Sequence, residues 1–286
     1  MRTRIITDSA SDLSSELTRQ FRIDVLPLSV LLGDIEYKDG ETIDPKELYH
    51  NMRAGKVYTT SQVAPQAFKE KFVECAKNNE PCVYIGFSSE LSGTYQSAAI
   101  AKEEVLEEYP DFDITIIDTK CASGGFGLVV LKAAKMAEKG STKEEIVKAT
   151  EFNAKHMEHI FTVDDLEYLF RGGRVSRTAA VIGTLLNIKP ILHVVDGRLV
   201  PLEKTRGRNK VLKRMMEIIE ERGKDLDKQT IGLTHGDDIE IATRAKEMME
   251  EKFNCKDFVI RDVGCSVGAH SGPGTLAIFF LNRIEQ

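Results

Sequence analysis

The sequence predicts a two-domain α/β protein: an N-terminal Rossmann-like domain on a parallel sheet and a C-terminal α+β domain, with the cleft between them the default place for a ligand. Three observations carry that prediction. Short apolar runs alternate with helical patterns through the first half, the order that gives βαβ units and a parallel sheet. After about residue 155 the rhythm changes, and two apolar runs flank Asp196-Gly197, a favoured hairpin turn between antiparallel strands. The length, 286 residues, favours two ordinary domains over one small core. The division is placed at residues 1–155 and 156–286. No repeat or low-complexity linker separates the halves, so a broad shared interface is expected.

In the first half, strands are read at residues 5–7, 25–31, 83–87 and 114–117, followed by polar turns such as Asp8-Ser9, Ser88-Ser89 and Asp118-Thr119 at their carboxyl ends. Between them, Leu13, Leu17 and Phe21, then Phe68, Phe72 and Val73, then Ala98, Ile100, Ala101 and Val105 recur at helical spacing. In the second half, strands are expected at 190–195, 198–204, 230–234, 258–261 and 276–281, with helices over 208–221 and 239–252.

Composition narrows the function. With 42% hydrophobic and 29% charged residues, the chain has the apolar content of a soluble globular protein. A net charge of -6 argues against nucleic acid as the main partner, because binding a phosphate backbone needs a basic surface. No apolar run reaches the ~18 residues that cross a bilayer, and no signal-type segment is read at the start, so a cytoplasmic protein without stable membrane insertion is expected. Five cysteines with no CxxC pair suggest neither a disulfide framework nor a zinc site; they are expected to be reduced and mostly buried. His156 and His159 stand three apart near Asp164 and Asp165, but read as exposed residues, and no metal is expected.

Three polar segments remain. Thr59-Thr60-Ser61-Gln62, ahead of Pro65, reads on spacing alone as a hydroxyl cap for the helix that follows. Ser88 to Tyr95 links a strand to a long helix. Ser92 falls at the N-cap position, and Gly93 would let an anion approach the free N–H groups of the helix start, so a cap and a carboxylate or phosphate site are both open. Gly264 to Gly274 is read as a glycine-dense loop carrying His270, either an anion donor or a structural imidazole.

Two enzyme-like patterns are weak. Gly264-Cys265-Ser266-Val267-Gly268 fits G-x-S-x-G, but an apolar strand-like run rather than a helix is expected after it. Gly124-Gly125-Phe126-Gly127 lacks dinucleotide-site spacing and reads as close packing of helix on sheet. Arg171-Gly172-Gly173-Arg174-Val175-Ser176-Arg177, with Arg206 and Arg208 further on, sets arginine beside paired glycines, an arrangement suited to bidentate anion recognition or partner docking.

Taken in order, Ile6-Thr7-Asp8-Ser9, Thr60-Ser61-Gln62, Leu91-Ser92-Gly93-Thr94-Tyr95, Asp118-Thr119, Tyr168 to Ser176 and Gly268 to Gly274 resemble the DegV family along nearly the whole chain. Val63, where proline is usual, and Ser271, where threonine is common, depart from its pattern without removing a donor. The resemblance implies a long-chain fatty acid, such as palmitate, held between two domains, with Thr60, Ser61, Ser92, Gly93, His270 and Ser271 around its carboxylate. It implies no catalytic residue of its own and no cofactor beyond the bound acid. The partner it implies is a fatty acid kinase, a separate ATP-using protein that phosphorylates the bound acid for fatty acid metabolism and phospholipid synthesis, with Arg171 and Arg206 serving docking or phosphate transfer. The rival from another class is a small-ligand hydrolase using His270 and a hydroxyl nucleophile.

Overall fold

The apolar runs of the first half pair in parallel. In the computed structural model, which describes residues 2–176 and 188–285, strand β1 (Arg4–Asp8) lies between β2 (Ile23–Leu26) and β6 (Cys82–Gly86), and β7 (Ile114–Asp118) completes the order β2-β1-β6-β7. All three pairings are parallel. Every residue of β6 is buried, which is why it reads as an unbroken apolar run. Helix α1 is Ser15–Phe21; α3 (Pro65–Lys77) packs on α4 (Thr94–Glu108), and α5 (Ser123–Glu138) packs on α6 (Lys143–His156). Residue 155 falls in the last turn of α6. Ile100, read as part of the apolar face of α4, is 43% exposed, whereas Ala98, Ala101 and Val105 are buried.

The run at 25–31 is not one strand. Proline cannot donate to a ladder, so β2 stops before Pro27. The chain then starts a second, three-stranded antiparallel sheet with β3 (Ser29–Leu32), β4 (Ile35–Lys38) and β5 (Thr59–Ser61), in the order β4-β3-β5. Helix α2 (Pro45–Arg53) follows β4, and Asp44 caps it by accepting from the Glu47 N–H at 2.9 Å. The hydroxyl segment 59–61 is therefore an edge strand and not a helix cap. Ala64 stands at the N-cap of α3 with no side-chain bond, although Pro65 does occupy the first turn.

The second half forms a six-stranded sheet from β8 (Met157–Thr162), β9 (Ile188–Val195), β10 (Arg198–Arg206), β11 (Thr230–His235), β12 (Asp257–Asp262) and β13 (Leu276–Leu281), in the order β10-β9-β8-β13-β11-β12. It is antiparallel except for β11 with β12. Asp196 and Gly197 join β9 to β10 with φ of 49° and 83°, the two left-handed residues a tight hairpin turn needs. A separate core of Ile160, Ile191, Leu212, Met215, Leu233 and Phe280 forms on this sheet, with α8 (Arg208–Arg222) and α9 (Ile239–Phe253) packed on its strands.

The glycine-dense segment is a helix. α7 (Glu167–Arg171) and α10 (Cys265–Ser271) are both short and pack on each other. Glycine is a poor helix former, so the sequence does not announce α10. Tertiary contact overrides propensity here. A Cβ on Gly268 would stand 2.5 Å from Tyr49 Oη, so glycine lets α10 lie directly on α2. The cluster of Val30, Leu48, Tyr49 and Met52 with Val263 and Ala269 shows a C-terminal helix completing the core of an N-terminal sheet.

Helix α5 touches β1 of the parallel sheet and β8, β11 and β13 of the mixed sheet. Its glycines mark those contacts: a Cβ on Gly124 would meet Thr234 and Phe279, one on Gly125 would meet His159 and Phe279, and one on Gly127 would run into the Ser11 carbonyl oxygen. Gly127→Ala gives a sign test. Helix propensity favours the change by about 1 kcal/mol, but overpacking against a backbone atom costs typically 1–3 kcal/mol, and a carbonyl cannot rotate aside as a side chain does. The variant is expected to unfold at lower urea concentration than the parent; a gain in stability would show that the segment carrying Ser11 yields.

Candidate functional site

A narrow cavity lies where the carboxyl ends of the parallel strands meet the mixed sheet. The space between its atoms is ≈ 770 Å³ counting solvent at the mouth, yet the centre of a water molecule reaches only ≈ 80 Å³ of it. So little room for a water centre in a longer apolar space favours a thin ligand. Phe87, Leu91, Leu169, Leu199, Ala277 and Phe279 are among its apolar walls, and Thr60, Ser92, Arg174, His270 and Ser271 are among its polar groups.

These five polar groups come from four separate parts of the fold. Thr60 is the middle residue of β5, and its Oγ1 lies 2.7 Å from His270 Nε2. Strand alternation turns Thr60 inward and its neighbours outward, so Ser61 is exposed and does not line the cavity. Ser92 precedes α4, whose N-cap is Gly93 and not Ser92. The Ser92 hydroxyl still accepts from the Thr94 N–H at 3.3 Å and lies 2.9 Å from Thr94 Oγ1. Gly93 is absent from the cavity wall; a Cβ there would collide with the Gln62 side chain, so its smallness serves that neighbour. Ser271 is 5% exposed and its Oγ, at the cavity, has no hydrogen-bond partner among the described residues. A buried hydroxyl without a partner costs about 1–3 kcal/mol, a cost that a bound acceptor would remove.

Arg174 is the residue that the sequence pattern did not single out from its neighbours. Its Nε donates to the Leu91 carbonyl at 3.1 Å and its Nη1 to the Gly172 carbonyl, which fixes the guanidinium against the cavity. Among the described residues no carboxylate pairs with it. Gly172 is in turn pressed on the imidazole, since a Cβ there would overlap His270. Arg171, one position earlier, points out to solvent and lies over the Tyr168 ring, 5.2 Å from its centroid. Arg206 ends β10 and is also exposed. Neither lines the cavity. Arg177, in the same motif, lies outside the described residues.

Burial, and then the nearby Arg174 cation, push the His270 pKa down to about 4. The imidazole is therefore neutral near pH 7, and the fixed positive charge at this end of the cavity belongs to Arg174. His159 is also buried and not exposed as its polar surroundings implied: it lines the apolar part, accepts from the Ala122 N–H through Nε2 at 3.1 Å, and keeps its proton on Nδ1 facing the Met157 carbonyl at 3.2 Å. Burial takes its pKa to about 4 as well. His156 bonds to Asn282 at 2.9 Å. Among the described residues, no group of histidine, cysteine and carboxylate side chains is arranged to hold a metal ion. All five cysteines are buried and free.

Helix α10, which carries Ser266, His270 and Ser271, is held at its start by carboxylates from elsewhere. Asp12 accepts from the Gly264 N–H at 3.0 Å and Asp39 from the Cys265 N–H at 2.9 Å. A strand before and a helix after do supply the surroundings of a nucleophile elbow, contrary to the expectation from sequence. The chemistry is still missing: Ser266 Oγ makes no hydrogen bond to an imidazole, and the group beside His270 is a cation where a triad needs an acid.

The comparisons place these features in a family. A family model described as "Uncharacterised protein, DegV family" matches residues 2–283. A DegV domain-containing protein of Clostridium perfringens is 44% identical over 99% of this chain and 98% of its own length. Among solved structures, a DegV family protein from Thermus thermophilus, described by its fatty acid binding, is 30% identical with a TM-score of 0.89, covering 98% of this chain and 99% of that one. DegV of Bacillus subtilis, described as a fatty acid binding protein, is 32% identical with a TM-score of 0.85 and 98% coverage of both chains.

The two histidines give a direct measurement. A neutral imidazole whose folded pKa is depressed contributes stability that is present above its unfolded value of ~6.5 and is lost as pH falls toward the folded value. NMR titration is expected to place His270 near pH 4. In Arg174→Gln the cation is gone and burial remains, so the His270 midpoint should move up; an unmoved midpoint would show that burial alone sets it.

Proposed function

Since the chain belongs to the DegV family, we propose that it binds a long-chain fatty acid, with the acyl tail in the narrow cavity and the carboxylate among Thr60, Ser92, His270, Ser271 and Arg174. The observation that carries this reading is an apolar cavity with a donor cluster around a fixed guanidinium that no carboxylate pairs among the described residues; the Ser123, Thr234 and Thr275 hydroxyls that also line the cavity are bonded within the protein. Burying roughly 14 methylenes at about 0.8 kcal/mol each supplies on the order of 11 kcal/mol gross, against association costs of several kcal/mol. A carboxylate left bare in the same place would cancel much of that gain, so the head needs donors. Ser92 and Ser271 offer hydroxyls, the bonded Thr60–His270 pair has one proton left to offer, Thr60 O–H or His270 N–H according to the tautomer, and Arg174 offers charge-assisted bonds.

Binding rather than turnover is the reading the site supports. His270 with a pKa near 4 is a weak base at neutral pH, and among the described residues no carboxylate stands behind it. The bound acid would then be handed to a separate fatty acid kinase. That step rests on the family resemblance of the arginine motif and on the exposure of Arg171 and Arg206, which leaves both side chains available to a partner. The two-unit division at residues 155 and 156 and a cytoplasmic place of action belong to the same reading.

Thr60→Ala and Ser92→Ala are each expected to weaken acyl binding by about 1.5–3 kcal/mol, the worth of one hydrogen bond to a charged group, with little change in melting. Titration with a fluorescent fatty acid measures this, and wild-type affinity in both would move the carboxylate elsewhere in the cavity. Arg171→Ala is expected to keep acyl binding while slowing phosphorylation of the bound acid by a cognate kinase; parallel loss of both would make Arg171 part of the binding site or the fold.

A further inference from the structure

The sheet has a second polar feature at its opposite end, which the acyl cavity does not use. The amino ends of β1 and β2 and the turn before β6 open onto a wide cleft in which water centres reach ≈ 450 Å³, lined by Arg2, Arg4, Arg19, Arg22, Asp24 and Glu80. Both carboxylates are already engaged by one arginine, since Arg4 bonds to Asp24 at 2.6 Å and to Glu80 at 3.1 Å. Arg2 donates to the Phe21 carbonyl at 2.7 Å, which orients its guanidinium without neutralising it. Among the described residues, Arg2, Arg19 and Arg22 have no ion pair. The cleft thus carries four guanidiniums against two carboxylates, on a chain whose net charge is -6.

Part of this has a local cause. Arg19 and Arg22 lie at the C-terminal end of α1, where cations complement the helix dipole. That does not account for Arg2, which comes from another segment, nor for the conformation of Arg22. Arg22 sits at φ 52°, the left-handed region where glycine is the low-cost residue, and its N–H closes the helix by bonding to the Thr18 and Arg19 carbonyls. The turn needs the conformation; only the cleft uses the side chain.

We propose that this cleft is a phosphate-binding site, taking the phosphate group of either a soluble metabolite or a phospholipid headgroup. The excess of two positive charges in the lining suits a phosphate dianion and more than offsets the single charge of a headgroup diester, and planar guanidiniums suit paired hydrogen bonds to the oxygens of either. The site is independent of what the acyl cavity holds. β1 runs from Arg4 at the cleft to Asp8, whose carboxylate accepts from the Phe87 N–H at 3.1 Å at the cavity wall. Four residue steps of extended chain span about 13 Å, so an occupant of the cleft does not compete with an acyl chain.

The test is binding of the full-length protein to inorganic phosphate and glycerol phosphate by calorimetry at constant ionic strength, with chloride as the control, alongside co-sedimentation with phosphatidylglycerol and phosphatidylcholine vesicles. Saturable binding of the soluble phosphates assigns a metabolite site; binding to phosphatidylglycerol vesicles alone assigns a headgroup site. Arg22→Gly removes one guanidinium and the left-handed strain together, so it should keep or raise the melting temperature and weaken phosphate binding at least threefold. Arg19→Gln/Arg22→Gly should weaken it tenfold or more with fatty acid binding unchanged. Binding no better than chloride in both formats, or wild-type phosphate affinity in the folded double variant, overturns the proposal.

Discussion

A seven-residue helix with glycine in its middle cannot hold itself together in water, and the polar end of the cavity stands on one. What fixes α10 is the pair of carboxylates at its start, Asp12 on the Gly264 N–H and Asp39 on the Cys265 N–H. Both belong to the first forty residues, more than two hundred positions away in sequence. Asp39 is buried and Asp12 half-buried, and desolvation pushes both pKa values up, Asp12 most strongly. The donors around them oppose that shift: Ser123 hydrogen-bonds to Asp12, and Ser9 to Asp39 at 2.8 Å. This long-range anchoring, together with the packing of α10 on α2 and β5, brings Thr60 and His270 within 2.7 Å. The donors of the cavity are thus positioned by side chains outside its wall.

The sequence was most legible where local and global demands agree. Strands β6 and β13 are apolar runs because both of their faces are covered, and the Asp196-Gly197 turn announces its hairpin through the backbone angles it requires. It was least legible where tertiary contact reverses a local preference. α10 is helical despite its glycines because Gly268 must clear Tyr49. Thr59 to Ser61 looks like a cap because it is polar, yet it pairs with β3 at the edge of a small sheet.

The site follows the same division. His270, Ser92, Thr60 and Ser271 could be named from their motifs, and all four reach the cavity. Ser61 and Gly93 could not be separated from them by composition; the two-residue period of a strand and the volume of the Gln62 side chain set them apart. Arg174 was hidden for the opposite reason. The motif sets several arginines beside paired glycines, and only the bonds to the Leu91 and Gly172 carbonyls turn this one inward. The signal that could have found it is the paired glycine itself, which lets the backbone come close enough to His270 to offer a carbonyl.

The three close-packed glycines of α5 have a mechanical consequence. A carrier that opened like a clam would need a seam between its two sheets that a few residues could bend. Here the seam is spanned by a rigid rod, with Gly127 lodged against Ser11 on one side and Gly124 and Gly125 against Thr234, His159 and Phe279 on the other. Rotating one sheet on the other would lever that rod out of both contacts at once. For the proposed ligand, entry and exit would then fall to side chains at the mouth of the cavity, with the frame around it kept closed by the helix that both sheets grip.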